Sequence, residues 1–135
     1  MKGKVSWSLL WASVAVFIVA VCLFFIPPLR ELLAGSELFL MPFAVFFLLG
    51  VVLIVLTVRE KIAGMLKAFF LLTGASAAGI FVFILLHNAV YGLADYWFSV
   101  EFEEPFFFIM AILVCPLAFL VGAIGSIILA IKKAP

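Results

Sequence analysis

Four long, uninterrupted apolar segments constrain this chain more than any other feature. They lie at about residues 5–26, 38–58, 68–94 and 105–131, and their runs of Leu, Val, Ile and Phe do not alternate with polar residues as barrel strands do. About 20 apolar residues in a helix cross the ~30 Å hydrocarbon core of a bilayer. With 70% hydrophobic and 11% charged residues, the chain has too few polar side chains to cover a soluble domain of this size. The sequence therefore predicts one all-α domain over residues 1–135, an integral membrane protein built as an antiparallel four-transmembrane-helix bundle.

The distribution of charge predicts how these helices are oriented. Seven of the eight basic residues fall at the two chain ends or in the second connection, whereas Arg30 falls in the first connection. Short loops rich in Lys and Arg stay in the cytoplasm. Both termini are therefore expected to be cytoplasmic (N-in/C-in), with the plasma membrane as the expected location. No basic patch is large enough to predict a nucleic-acid partner, and the expected partner is the lipid bilayer.

Small residues recur at four-residue spacing in the third and fourth segments. The positions are Gly74, Ala78 and Gly79 in the third segment and Ala118, Gly122 and Ser126 in the fourth. Small side chains let helix backbones approach closely in lipid, where van der Waals packing holds helices together. We expect these two faces to pack on each other within one chain, and the alternative is a seam between copies in a homo-oligomer. Pro116 removes a helical hydrogen bond from the fourth segment and predicts a kink there.

The polar residues that are candidates for a site lie at the end of the third segment. His87, Tyr91 and Asp95 recur every four residues and share one helix face, which Asn88 borders. Counted from Lys67, His87 lies ~30 Å along the helix, near the outer interface. These side chains form either a small polar pocket, in which His87 binds a proton or ligand, or an interfacial cap that bonds to neighbouring helix ends. We favour the cap. A single His with no second His or Cys nearby predicts no metal site, and the sequence predicts no cofactor.

Three functional hypotheses follow from these patterns. We favour a non-enzymatic membrane subunit or interaction protein, in which the small-residue faces and a surface segment at residues 95–104 contact other membrane subunits or a second copy. The first alternative is an oligomeric channel or uncoupled transporter with His87 and Asn88 lining an outer vestibule. The second is a membrane-embedded enzyme or lipid-binding protein that uses the face of His87, Tyr91 and Asp95.

The 17 Phe residues are spread over all four segments and are expected to face lipid or fill the core.

Overall fold

The structure, a computed structural model, describes residues 3–33, 40–100 and 105–133. The regular elements of this part of the chain are all helical: α1 (Lys4–Phe25), α2 (Pro27–Leu33), α3 (Met41–Arg59), α4 (Gly64–Phe98), α5 (Pro105–Ile109), a π-helical turn (Met110–Val114) and α6 (Cys115–Lys133). We call α5, the π-helical turn and α6 together the last span. Helices α1, α3 and α4 and the last span are long and apolar enough to cross a membrane. The prediction of an all-helical chain with four such helices is confirmed.

The structure adds one short helix to the four predicted segments and extends the third of them. Pro27 and Pro28 open the short helix α2, because a proline at the start of a helix loses only an N–H group that has no helical partner there. Helix α4 continues to Phe98, beyond its expected end at Ala94, so residues 95–98 of the expected surface segment are helical. Its 35 residues make a helix of about 52 Å. Residues 101–104, the rest of that segment, lie outside the described residues.

Helices α3 and α4 meet at a pair of glycines. A Cβ atom added to Gly50 would lie 2.6 Å from the carbonyl oxygen of Gly74, and one added to Gly74 would lie 2.7 Å from the carbonyl oxygen of Gly50. The same Cβ on Gly50 would lie 2.9 Å from the Cβ of Ala77 and 2.9 Å from the backbone nitrogen of Ala78. The two backbones therefore touch, and only glycine fits at either position.

The last span packs on a different face of α4. Gly122 lies against the side chain of Thr73, and a Cβ added to it would be 2.9 Å from the carbonyl oxygen of Phe69. A Cβ added to Gly79 would lie 3.1 Å from the sulfur of Cys115. The remaining predicted packing residues are the fully buried Ser126 and the half-buried Ala78 and Ala118. Gly74 and Gly122 thus contact different partners, because α4 presents one face to α3 and another to the last span.

One half of the bundle is closed by this packing. We call it the turn half, since it surrounds the connection at residues 60–63 between α3 and α4. Leu10, Leu53 and Phe70 are fully buried there. The hydrophobic effect does not drive helices together in lipid, because the lipid tails are as apolar as the helices. Van der Waals contacts of this kind hold them together instead.

Buried hydroxyl groups in the turn half bond within their own helices. Four fully buried hydroxyls each donate to the carbonyl oxygen four residues earlier, over 2.6 to 2.8 Å: Ser13 to Leu9, Thr57 to Leu53, Thr73 to Phe69 and Ser126 to Gly122. One hydroxyl reaches another element, since Ser6 Oγ donates to Glu60 Oε2 over 2.7 Å. Among the residues that the structure describes, every buried side-chain nitrogen and oxygen atom has a hydrogen-bond partner.

Candidate functional site: an apolar cavity with a polar end

The opposite half of the bundle contains a cavity of about 300 Å³ between α1, α3, α4 and the last span. We call it the outer cavity, since the sequence predicts that this end faces outside. It is lined by Phe17, Ala20, Val21, Phe24, Phe25, Leu40, Phe43, Phe46, Ile80, Ile84, His87, Asn88, Phe108, Ala111, Ile112 and Pro116. Only two of these side chains, His87 and Asn88, carry a hydrogen-bonding group. The outer cavity is an apolar space with one polar edge.

An aromatic cluster separates the outer cavity from the turn half. Phe17 and Phe46 line the cavity, and both contact the ring of Phe119, which is almost completely buried. The ring centroids of Phe17 and Phe119 are 4.6 Å apart, and those of Phe46 and Phe119 are 5.0 Å apart. Offset and edge-to-face aromatic pairs at these distances stabilise a packed arrangement. The cluster therefore forms the floor of the cavity.

A π-helical turn forms part of the cavity wall. The N–H group of Cys115 donates to the carbonyl oxygen of Met110, five residues earlier instead of four. Pro116 follows directly and can neither donate to the carbonyl of Ile112 nor pack closely against it. The sequence predicts a kink at Pro116, and the structure records this local change of helical winding just before it. Such turns often occur at functional sites, and Ala111, Ile112 and Pro116 all line the cavity.

The structure separates the four predicted polar residues into two pairs. His87 and Asn88 line the outer cavity, and the His87 ring lies 5.5 Å from that of Phe108 at an angle of 49°. Tyr91 is 40% exposed, Asp95 is exposed, and neither lines the cavity. Tyr91 and Asp95 lie about 6 and 12 Å further along α4 than His87. The face proposed from sequence therefore contributes only its first turn to the cavity.

The lining residues of three spans cover the same length of helix. They run from Phe17 to Phe25 on α1, from Ile80 to Asn88 on α4 and from Phe108 to Pro116 on the last span. Eight residue steps correspond to about 12 Å along a helix axis. This depth is slightly less than half of the ~30 Å hydrocarbon core. The outer cavity therefore has the depth of a single membrane leaflet.

The sequence analysis missed the aromatic lining. Six of the lining residues are Phe, which we expected to face lipid or fill the core. Phe17 and Phe24 are seven residues apart and Phe43 and Phe46 are three apart, so each pair shares a helix face. That spacing was the available signal. Periodicity alone does not show which helix faces converge.

The chemistry that the site offers is hydrogen bonding at the edge of an apolar space. An imidazole and a carboxamide can both donate and accept hydrogen bonds. Within residues 3–33, 40–100 and 105–133, no three His, Cys, Asp or Glu side chains lie close enough together to hold a metal ion. No protein-family model, no curated protein and no solved structure matches this chain.

Proposed function

We propose that this protein is a non-enzymatic membrane subunit that binds a lipid-like molecule in its outer cavity. The observation that carries the proposal is the cavity itself, which is apolar along its length and polar at one edge. Ligand pockets in proteins have this character: mostly hydrophobic and aromatic walls with a few placed polar groups, in volumes from about 300 Å³ upwards. An apolar cavity of this kind favours apolar molecules over water.

The proposal includes an antiparallel arrangement of the four spans, with both termini in the cytoplasm of a plasma membrane. Its support is the short α3–α4 connection together with the position of Gly3, where an added Cβ would lie 3.1 Å from the side chain of Ile62. The start of α1 therefore adjoins that connection, which contains Lys61 and directly follows Arg59, the last residue of α3. Basic residues at one end of a bundle mark its cytoplasmic side. In this orientation the outer cavity opens in the outer leaflet.

A cavity-filling substitution tests the proposed function. Val21 lines the outer cavity and is 37% exposed. The larger side chain of Val21→Trp should therefore fill part of the cavity without disturbing the packing of the turn half. The matched control is Val19→Trp on the same helix, because Val19 is 51% exposed and does not line the cavity. Native mass spectrometry of protein purified in mild detergent measures the lipid that remains bound.

We expect wild type and Val19→Trp to retain one bound lipid-like molecule and Val21→Trp to lose it. Equal retention by the two variants would show that lipid binds elsewhere. Wild-type protein that carries no bound molecule under conditions that preserve its fold would contradict the proposal.

The outer end of α4 supports a second candidate function, contact with another membrane subunit. Tyr96, Trp97 and Phe98 are 81%, 67% and 73% exposed and end a helix that is longer than the hydrocarbon core requires. Large exposed aromatic side chains are typical of protein contact sites. A photoreactive amino acid at Tyr96 is expected to crosslink to a partner protein in cells. Crosslinks formed only to lipid would assign these rings to the membrane interface.

A homo-oligomer is a further possible form of that contact, and it would not use the small-residue faces. Gly50 and Gly74 face each other across α3 and α4, and Gly122 faces Thr73 across α4 and the last span. Because these faces are occupied inside one chain, a second copy would have to bind at another surface.

A further inference from the structure

We infer that the protein binds anionic phospholipids at the end of the turn half, on a surface that we call the basic end. Five exposed basic side chains form it, contributed by all four spans and the α3–α4 connection: Lys4, Arg59, Lys61, Lys67 and Lys132. Lys67 lies about 30 Å along α4 from His87 at the outer cavity. The inference therefore concerns a second site and does not depend on the proposed function.

Contacts between the spans bring these basic side chains to one end of the bundle. Ser6 on α1 donates a hydrogen bond to Glu60 in the α3–α4 connection over 2.7 Å. A Cβ atom added to Gly125 on α6 would lie 2.6 Å from the ring of Phe69, so the last part of α6 packs on the beginning of α4. Lys132 follows about two helical turns beyond Gly125. Segments that are far apart in the sequence therefore end side by side.

The basic end carries an excess of positive charge. Glu60 is the one acidic residue of the sequence in this region, since the other six fall within residues 31–37 and 95–104. Its side chain is half-buried and accepts the hydrogen bond from Ser6. It can neutralise at most one of the five basic side chains, which leaves an excess of four positive charges among the described residues. Clusters of about four to eight Lys and Arg residues beside membrane spans attract anionic lipids.

Exposed apolar side chains next to the charges indicate that the anionic partner is a lipid. Each of three basic residues has an exposed apolar neighbour in the sequence: Val5 beside Lys4, Val58 beside Arg59 and Ile131 beside Lys132. Lys and Arg side chains near the ends of membrane helices extend their charged groups to the headgroup level. A phospholipid matches this arrangement, because its phosphate meets the basic groups while its acyl chains cover the apolar side chains. A soluble anion would match the charges alone.

Two phospholipids that differ in net charge test this inference. Phosphatidylglycerol and phosphatidylcholine with identical acyl chains are titrated into delipidated protein in mild nonionic detergent, and native mass spectrometry gives the affinity for each. Lys61→Gln and Lys67→Gln each remove one positive charge from the basic end. Arg30→Gln is the matched control, because it makes the same kind of change at an exposed basic residue of α2, outside the basic end. Glu60→Gln removes the one negative charge and keeps an oxygen that can accept from Ser6.

We expect wild type to bind phosphatidylglycerol more tightly than phosphatidylcholine. Lys61→Gln and Lys67→Gln should each lower this preference about fivefold, the factor that one basic residue near the headgroups contributes. Glu60→Gln should raise the preference, and Arg30→Gln should leave it unchanged. Glycerol phosphate, which carries the anionic group without acyl chains, should not displace phosphatidylglycerol at equal concentration.

Several results would overturn the inference, and each differs from a failure of the proposed function. Equal affinity of wild type for the two phospholipids would leave an acidic protein segment as the partner of the basic end. A loss of preference in Arg30→Gln as large as that in Lys61→Gln would show that only the total charge of the protein matters. Displacement by glycerol phosphate would assign the basic end to soluble phosphate compounds. The cavity variant Val21→Trp should keep the preference, and its loss there would place the anionic lipid in the outer cavity instead.

Discussion

Replacement of Gly50 by Ala tests the closest helix contact in the protein. The added Cβ would lie 2.6 Å from the carbonyl oxygen of Gly74, well inside van der Waals contact, and its neighbours are backbone atoms and the Cβ of Ala77. These atoms cannot rotate away, so α3 and α4 must move apart. Overpacking of this kind costs about 1–3 kcal/mol. The gain in helix propensity from Gly to Ala offsets about 1 kcal/mol of it, which leaves a net loss of up to about 2 kcal/mol.

Gly92→Ala provides a matched control on α4. Gly92 is also helical, and a Cβ added there would meet nothing within 4 Å. The same chemical change should therefore stabilise the protein, by about 0.5–1 kcal/mol from helix propensity alone. The free energy of unfolding can be measured by SDS titration in mixed micelles, with helicity followed by circular dichroism.

The double variant Gly50→Ala/Gly74→Ala extends this test. Once one substitution has separated the helices, the second meets less resistance, so the combined loss should be smaller than the sum of the two single losses by about 0.5–3 kcal/mol. If Gly50→Ala has the same free energy of unfolding as Gly92→Ala, then Gly50 and Gly74 do not form the close contact described above.

The remaining predictions concern the second helix contact, the orientation and the polar edge. Gly122→Leu should lower thermal stability in detergent far more than Leu120→Ala, because Gly122 faces the side chain of Thr73 whereas Leu120 is 39% exposed. If the two variants are equally stable, Gly122 faces lipid. A cysteine at Lys133, in a variant without the native cysteines, should resist an impermeant thiol reagent in intact cells, and ready labelling would reverse the orientation. Histidine is the side chain that ordinarily changes charge between pH 5 and 8. If His87 does not take part in ion conduction, vesicles with wild type and with His87→Gln should show the same low ion flux at both pH values. A flux that responds to pH only in wild type would favour a channel.

Hydropathy was sufficient to predict the four spans, because crossing a bilayer requires a length of apolar helix that few other folds use. It was less informative about where helices end outside the hydrocarbon core. Residues 95–98 contain an acid and three aromatic side chains, which suit an interfacial loop as well as a helix end. The end of α4 is instead set locally by Ser99, whose backbone has φ 52° and whose N–H group bonds to the carbonyl oxygen of Asp95.

The pairing of small residues was harder to predict than their spacing. Gly74 belongs to an evident small-residue pattern, but its partner Gly50 stands alone among large apolar residues in α3. A lone glycine in a helix indicates that another backbone approaches closely there, but it does not show which helix that backbone belongs to. The pattern on α4 contains positions for two neighbours, with Gly74 against α3 and Gly79 against the last span. Which position meets which helix depends on the rotation of each helix about its axis, a tertiary property.

The outer cavity depends on the same tertiary information. His87 and Asn88 were evident as the polar residues of the third segment, but the sequence did not show that Phe24 on α1 and Phe108 on the last span line a common space with them. A cavity forms where side chains fail to meet. Its prediction therefore requires the distance between helices as well as the residues that face inward.

The central claim, a selective lipid-like ligand in the outer cavity, is tested most directly by crosslinking from two adjacent positions. Ile112 lines the cavity, whereas Leu113 is 55% exposed and does not line it. A photoreactive amino acid at each position, activated in intact membranes, captures the lipid that lies against it for identification by mass spectrometry. Our account predicts one enriched lipid-like species at Ile112 and the composition of the bulk membrane at Leu113. The same bulk composition at both positions would show that the cavity holds only surrounding lipid and would contradict the account.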